Sequence, residues 1–186
     1  MSLSVFSFVG CIKNDDKIFA GSQAEIDATS WNSNAAGLTY PLLTRVPRFD
    51  FVTGSTDSTL RRTAGTVRVR VNLIGAPSKS SQTVGYQVFS TPISTVAFPA
   101  TIAGQTPAAA AGTLTVLDAV PGTHYAPLSG KVTIPADSSF GYISVQVLNA
   151  GPTAGQARFI GIRLDSTGTL RPAVNYSQLG LIIDQR

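Results

Sequence analysis

Thr66–Leu73, TVRVRVNL, is the stretch that decides the fold class: Val67, Val69, Val71 and Leu73 alternate with Arg68, Arg70 and Asn72. Strict period two sends successive side chains to opposite faces of a strand, so the aliphatics line a core and the arginines stand in water. Working outward, the same rhythm returns in Val84, Tyr86 and Val88, in Val132 and Ile134, and in Ile143, Val145 and Val147. It returns again in Ile160, Ile162 and Leu164, and in Leu179, Leu181 and Ile183. Such runs, separated by Gly, Pro, Asn and Ser clusters with no helical pattern between them, predict an all-β chain. The expected architecture is an Ig-like antiparallel β-sandwich with a loop insertion.

Composition agrees. The 186 residues suffice for one domain with a sizeable core, charged residues are only 13%, and Gly (17) and Pro (11) are plentiful, as short strands joined by turns require. A single cysteine permits no internal disulfide. The net charge of +4 comes from scattered basic residues, among them Arg45, Arg61, Arg62, Arg68, Arg70, Lys131, Arg158 and Arg163, which read as solvated strand faces. No aromatic series interleaves with them as a nucleic-acid stacking platform would need, so no nucleic-acid partner is expected.

Elsewhere the pattern is weaker. EIDATSW, from Glu25, reads as a first strand; LTYPLLTRVPRFDF (38–51) is a Pro-interrupted stretch suited to an edge or a packed loop; TGSTDSTLRRTAG (53–65) reads as loop. Residues 91–120 lose the rhythm and read as an insertion, within which Thr95–Phe98 and Thr113–Leu117 are able to pair as an extra hairpin.

At the front, Leu3–Val9 (LSVFSFV) is an apolar run followed by Gly10 and Cys11, the order of a lipoprotein signal and its acylated cysteine. This predicts a signal peptide over 1–10, lipid attachment at Cys11, a polar tether over 11–24 and a sandwich domain over 25–186. Membrane attachment is then through lipid, since no later segment reaches the ~20 apolar residues of a span. The lipid anchor leads to the expectation of an outer-membrane lipoprotein; Lys13, Asp15 and Asp16 either resemble a surface-export signal, which would put it on the cell surface, or are charges of a solvated linker.

The stretch Val120–Leu148, VPGTHYAPLSGKVTIPADSSFGYISVQVL, resembles Calx-β-like domains: Gly122, Tyr125, Gly130, Val132, Ile134, Pro135 and Ala136 stand at the places of that family's turn–strand–turn motif. Its Gly-Thr-His-Tyr turn is also similar to that of uncharacterised exported lipoproteins associated with glycan-uptake systems of the starch-utilisation type. The resemblance implies a non-catalytic accessory module that binds glycan or an outer-membrane protein, and alternatively a calcium-dependent adhesion module. His124 stands where the calcium-binding members carry an acid, and Asn149-Ala150-Gly151 replaces a further acidic cluster. Calcium's roughly six to eight oxygen ligands are therefore not supplied, and neither a metal nor a cofactor is expected.

Catalytic constellations are sparse. His124 is the sole histidine and no Gly-x-Ser-x-Gly elbow accompanies it, so it reads as a turn residue beside a core Tyr125. Asp118, Asp137 and Asp165 are the carboxylates available to a glycosidase, but nothing marks two of them as acid and nucleophile, and no enzyme activity is expected. Glycan binding needs exposed aromatic rings. Trp31, Tyr142 and Phe159 are the candidates, the last two because they are out of phase with the inward positions of their strands and so face either water or an insertion lying over the sheet.

Overall fold

A computed structural model describes residues 21–27, 33–34, 36–47 and 58–186. The proposed signal, Cys11 and Trp31 lie outside the described residues. The described chain is an all-β sandwich of twelve strands: β1 Gln23–Ile26, β2 Ser33–Asn34, β3 Leu42–Leu43, β4 Thr66–Ile74, β5 Gln82–Phe89, β6 Thr95–Phe98, β7 Gly112–Asp118, β8 Lys131–Ile134, β9 Phe140–Gln146, β10 Gln156–Asp165, β11 Arg171–Pro172 and β12 Gln178–Asp184. Among the described residues no helix is long and apolar enough to cross a membrane.

Sheet one has the order β11-β1-β4-β9; sheet two runs β2-β3-β12-β10-β5-β8, with β7 joining β10 and β6 joining β7. Strand β4 behaves as its alternation requires, with Val67, Val69 and Val71 buried against Ile143 and Val145 of β9 and Ile160, Ile162, Leu179 and Leu181 of sheet two. The sheets close at one corner, where β8 and β9 meet. A Cβ on Gly141 would stand 2.3 Å from the Thr133 carbonyl oxygen, so only glycine permits that approach.

The sheets are mixed: most neighbouring strands are antiparallel, as expected, and β1–β11, β7–β10 and β3–β12 run parallel. Parallel neighbours need long crossovers, and between β7 and β10 the chain runs through β8 in sheet two and β9 in sheet one. Strand β10 pairs with β12 along one edge, while its other edge is shared in succession by β7 (156–159) and β5 (161–165).

The insertion contains the hairpin read from its sequence, Thr95–Phe98 against Gly112–Thr115. It does not hang free. Val96, Phe98, Leu114 and Val116 pack with Leu42, Ala157, Phe159 and Ile182 into a second core on the outer side of sheet two. Gly161 and Gly180 face each other across β10 and β12 and shave that side of the sheet flat. The Phe89 ring lies where a Gly161 Cβ would be (2.7 Å), and Phe159 and Leu42 where a Gly180 Cβ would be (2.6 and 2.5 Å).

Three further differences from the sequence reading appear. Strand β1 starts at Gln23, and Ala24 is already buried, so these residues belong to the sheet and not to a tether. Val88 points to the same side as Val84 and Tyr86 but is 44% exposed at the end of its strand. Arg61 is not a solvated residue of a loop: it is 1% exposed, within 3.7 Å of the fully buried Asp184 carboxylate, and donates to the carbonyls of Pro107 and Arg186.

Candidate functional site

The outer face of sheet one carries the most chemistry. Residues paired across a sheet share a face, so the registers define rows: Glu25, Asn72 and Phe140; Arg70 with Tyr142; Arg68 with Ser144; Thr66 with Gln146. Their inward neighbours Ile26, Val67, Val69, Val71, Ile143 and Val145 are buried, which fixes this set outward. Arg68 lies over the Tyr142 ring, 4.7 Å from its centroid, and Arg70 over the Phe140 ring at 4.5 Å. The two rings meet edge to face, 5.5 Å apart. Arg70 is held from the side by Asn72 (Nε to Oδ1, 2.9 Å) and by Asp27 at 3.5 Å. The result is a ladder of aromatic and guanidinium planes flanked by amides and carboxylates.

Of the aromatic candidates, Tyr142 stands on this ladder. Phe159 does not: it is 2% exposed beneath the β6–β7 hairpin, in edge contact with Phe89 at 5.6 Å, and presents no face to a ligand. Its out-of-phase position reflects the covering layer. Phe140, not singled out from sequence, sits two residues before Tyr142 and shares its outward phase.

The carboxylates are separately engaged. Asp118 accepts from the Thr91 N–H at 2.6 Å, and Asp137 pairs with Lys79 at 2.8 Å. Asp165 accepts from the Thr167 hydroxyl and N–H, and these bonds hold its carboxyl below the usual range, the reverse of what a general acid needs. Among the described residues no group of three His, Cys, Asp or Glu comes together to hold a metal. In the loop 149–151, Asn149 Oδ1 accepts from Arg62 at 2.6 Å and from the Gly151 N–H at 3.2 Å.

His124 closes a turn. Its Nδ1 accepts from the Val120 N–H at 3.0 Å, its own N–H donates to the Val120 carbonyl at 2.9 Å, and Tyr125 beside it is in the core. Burial, and after it the Arg158 guanidinium, hold His124 below the ordinary imidazole value of 6.5. The unfolded chain then binds the extra proton first as pH falls, so the contribution is complete above pH ~6.5 and is lost as pH drops from there through the lower folded value. Wild type should therefore lose more melting temperature between pH 7.5 and 5 than His124→Gln, which keeps an acceptor but does not titrate. Parallel melting curves for the two proteins would contradict this.

No family model matches the chain, and no curated protein matches it either. Among solved structures it is similar to the apo-form Calx CBD1 domain, at 16% identity and a TM-score of 0.43, covering 68% of this chain and 88% of that one. It is also similar to a Bacteroides ovatus structural-genomics protein of unknown function, at 10% identity and a TM-score of 0.49, covering 88% of this chain and 52% of that one. The chain thus spans about half the length of the second. A Calx domain is therefore among the structures this chain is similar to, and the sandwich architecture itself rests on the strand pairing described above.

Proposed function

We propose that this protein is a non-catalytic, lipid-anchored module of the cell envelope that binds glycan on the outer face of sheet one. The observation that carries the reading is the ladder Arg68–Tyr142–Phe140–Arg70: planar, weakly hydrated groups on a rigid sheet suit the flat face of a pyranose, and neighbouring Asn72, Gln146 and Glu25 suit its hydroxyls. Strands β4 and β9 preorganise the platform, so little ordering cost falls on binding. Acylation at Cys11 anchors the module, and the Calx-β-like motif and Gly-Thr-His-Tyr turn suggest a place beside a glycan-uptake machine of the starch-utilisation type, at the outer membrane and facing outward.

A glycan array tests the binding, with expected capture of at least one glycan class and loss of that signal in Tyr142→Ala. An array without signal would turn the reading toward a protein partner. Membrane fractionation tests the anchor: wild type should sediment with membranes and Cys11→Ser should not. The calcium-dependent alternative predicts a higher melting temperature with millimolar calcium, because a ligand of the native state alone stabilises it. We expect no change.

A further inference from the structure

We infer that the glycan bound on sheet one is acidic, carrying carboxylate or sulfate groups, and that Arg68 is the residue that recognises the charge. The inference rests on the glycan reading and narrows it. Arg70 is balanced by Asp27 at 3.5 Å and its Nε is held by Asn72. Arg68, two residues away on the same face, is exposed, and among the described residues no carboxylate lies within 4.0 Å of it. Its guanidinium carbon lies 4.7 Å from the Tyr142 ring centroid, and a guanidinium carries five N–H donors, more than contact with a ring engages.

The two rings of the ladder each have a guanidinium on one side. Arg68 is exposed while both rings are half-buried, so the platform offers solvent a guanidinium more than bare ring. A neutral sugar would use only part of this. A uronate or sulfated sugar would place its ring along the planes and its anionic oxygens against the paired donors of Arg68, the geometry in which arginine binds such groups bidentately.

Affinity electrophoresis of the full chain through gels containing polygalacturonate, dextran sulfate or neutral dextran tests this, with single-stranded DNA as a competing polyanion. Retardation is expected in an acidic gel and not in the neutral one, and the carboxylated and sulfated gels tell the two anion chemistries apart. Arg68→Gln should bind about tenfold more weakly, the loss of one charge-assisted contact, with Arg68→Lys between it and wild type. Lys131→Gln removes the same charge from an exposed site on sheet two and should change nothing. Circular dichroism should show all three variants folded. Equal retardation by neutral dextran, unaffected by Arg68→Gln, would overturn the acidic inference while leaving glycan binding intact; retardation by no glycan would remove both. Binding to DNA that matches the acidic gels and falls equally with Lys131→Gln would reduce the effect to unspecific charge and overturn the inference.

Discussion

Asp184→Ala should lower stability by about 3–5 kcal/mol, because it strands a buried guanidinium without its counter-charge. The Arg61 and Asp184 side chains are 1% and 0% exposed and 3.7 Å apart. Asp184 also receives Arg186, whose Nε lies 3.0 and 3.2 Å from its two oxygens. From this node the two arginines reach the insertion: Arg61 donates to the Pro107 carbonyl and Arg186 to that of Ala110 at 2.6 Å. Gln105 adds a two-way bond to the backbone of Thr59, accepting at 3.2 Å and donating at 2.9 Å. The acid thus holds the cations that seat residues 105–110, so its loss should both lower the melting temperature and free that loop. For a chain of this size the expected fall is roughly 6–20 °C. Limited proteolysis should cut the insertion faster in the variant. Arg61→Met combined with Asp184→Leu should recover part of the loss, since apolar replacement removes both charges together, but Pro107 and Arg186 would still lack their donor. A melting temperature for Asp184→Ala within 2 °C of wild type would show that the pair carries no such weight.

Nothing near Arg61 in the sequence distinguishes it from Arg62. Its partner is at the other end of the domain, and only the bridge of residue 61 to residue 184 brings them together. Strand β4, by contrast, was legible because one face is wet and the other dry, and alternation reports that difference directly. Strands β10 and β12 are buried on both faces along much of their length. There the pattern shows which way a side chain points but not what lies beyond it, so the phase of Phe159 leaves both water and a covering insertion open, and the second core shows that it is the insertion. Outward glycines at 161 and 180, away from any turn, were the available sign that bulky groups pack on that side. On the candidate face, phase alone placed Tyr142 outward and would have placed Phe140 there too. Stacking of Arg68 and Arg70 on these rings depends on the register of β4 with β9, which no local pattern encodes.

Phe159→Ala should cost about 3–5 kcal/mol, the range for removing a buried aromatic ring that its surroundings cannot replace. Collapse is hindered on every side. The ring fills the space over Gly180, meets Phe89 at 5.6 Å, and shares its cluster with Val96, Phe98, Leu114 and Val116 of the hairpin. Glycines 161 and 180 have no side chains to move into the gap, and Phe89 is itself seated on Gly161. Phe159→Leu, which keeps much of the volume, should cost less than half as much, about 1–1.5 kcal/mol; an equal loss for both would mean that the cavity is not the cause. The hairpin should show the first effect, as faster amide exchange over residues 95–98 and 112–118, because its apolar side packs in the same cluster as that ring. Sheet one faces the opposite way across the main core. Below its melting temperature Phe159→Ala should therefore be retarded by acidic glycan as wild type is, whereas Tyr142→Ala should be folded and not retarded. If the folded Phe159→Ala protein lost that retardation while Tyr142→Ala kept it, the ligand would have to lie over sheet two and the insertion, and the Arg68–Tyr142 ladder would be a solvated surface alone.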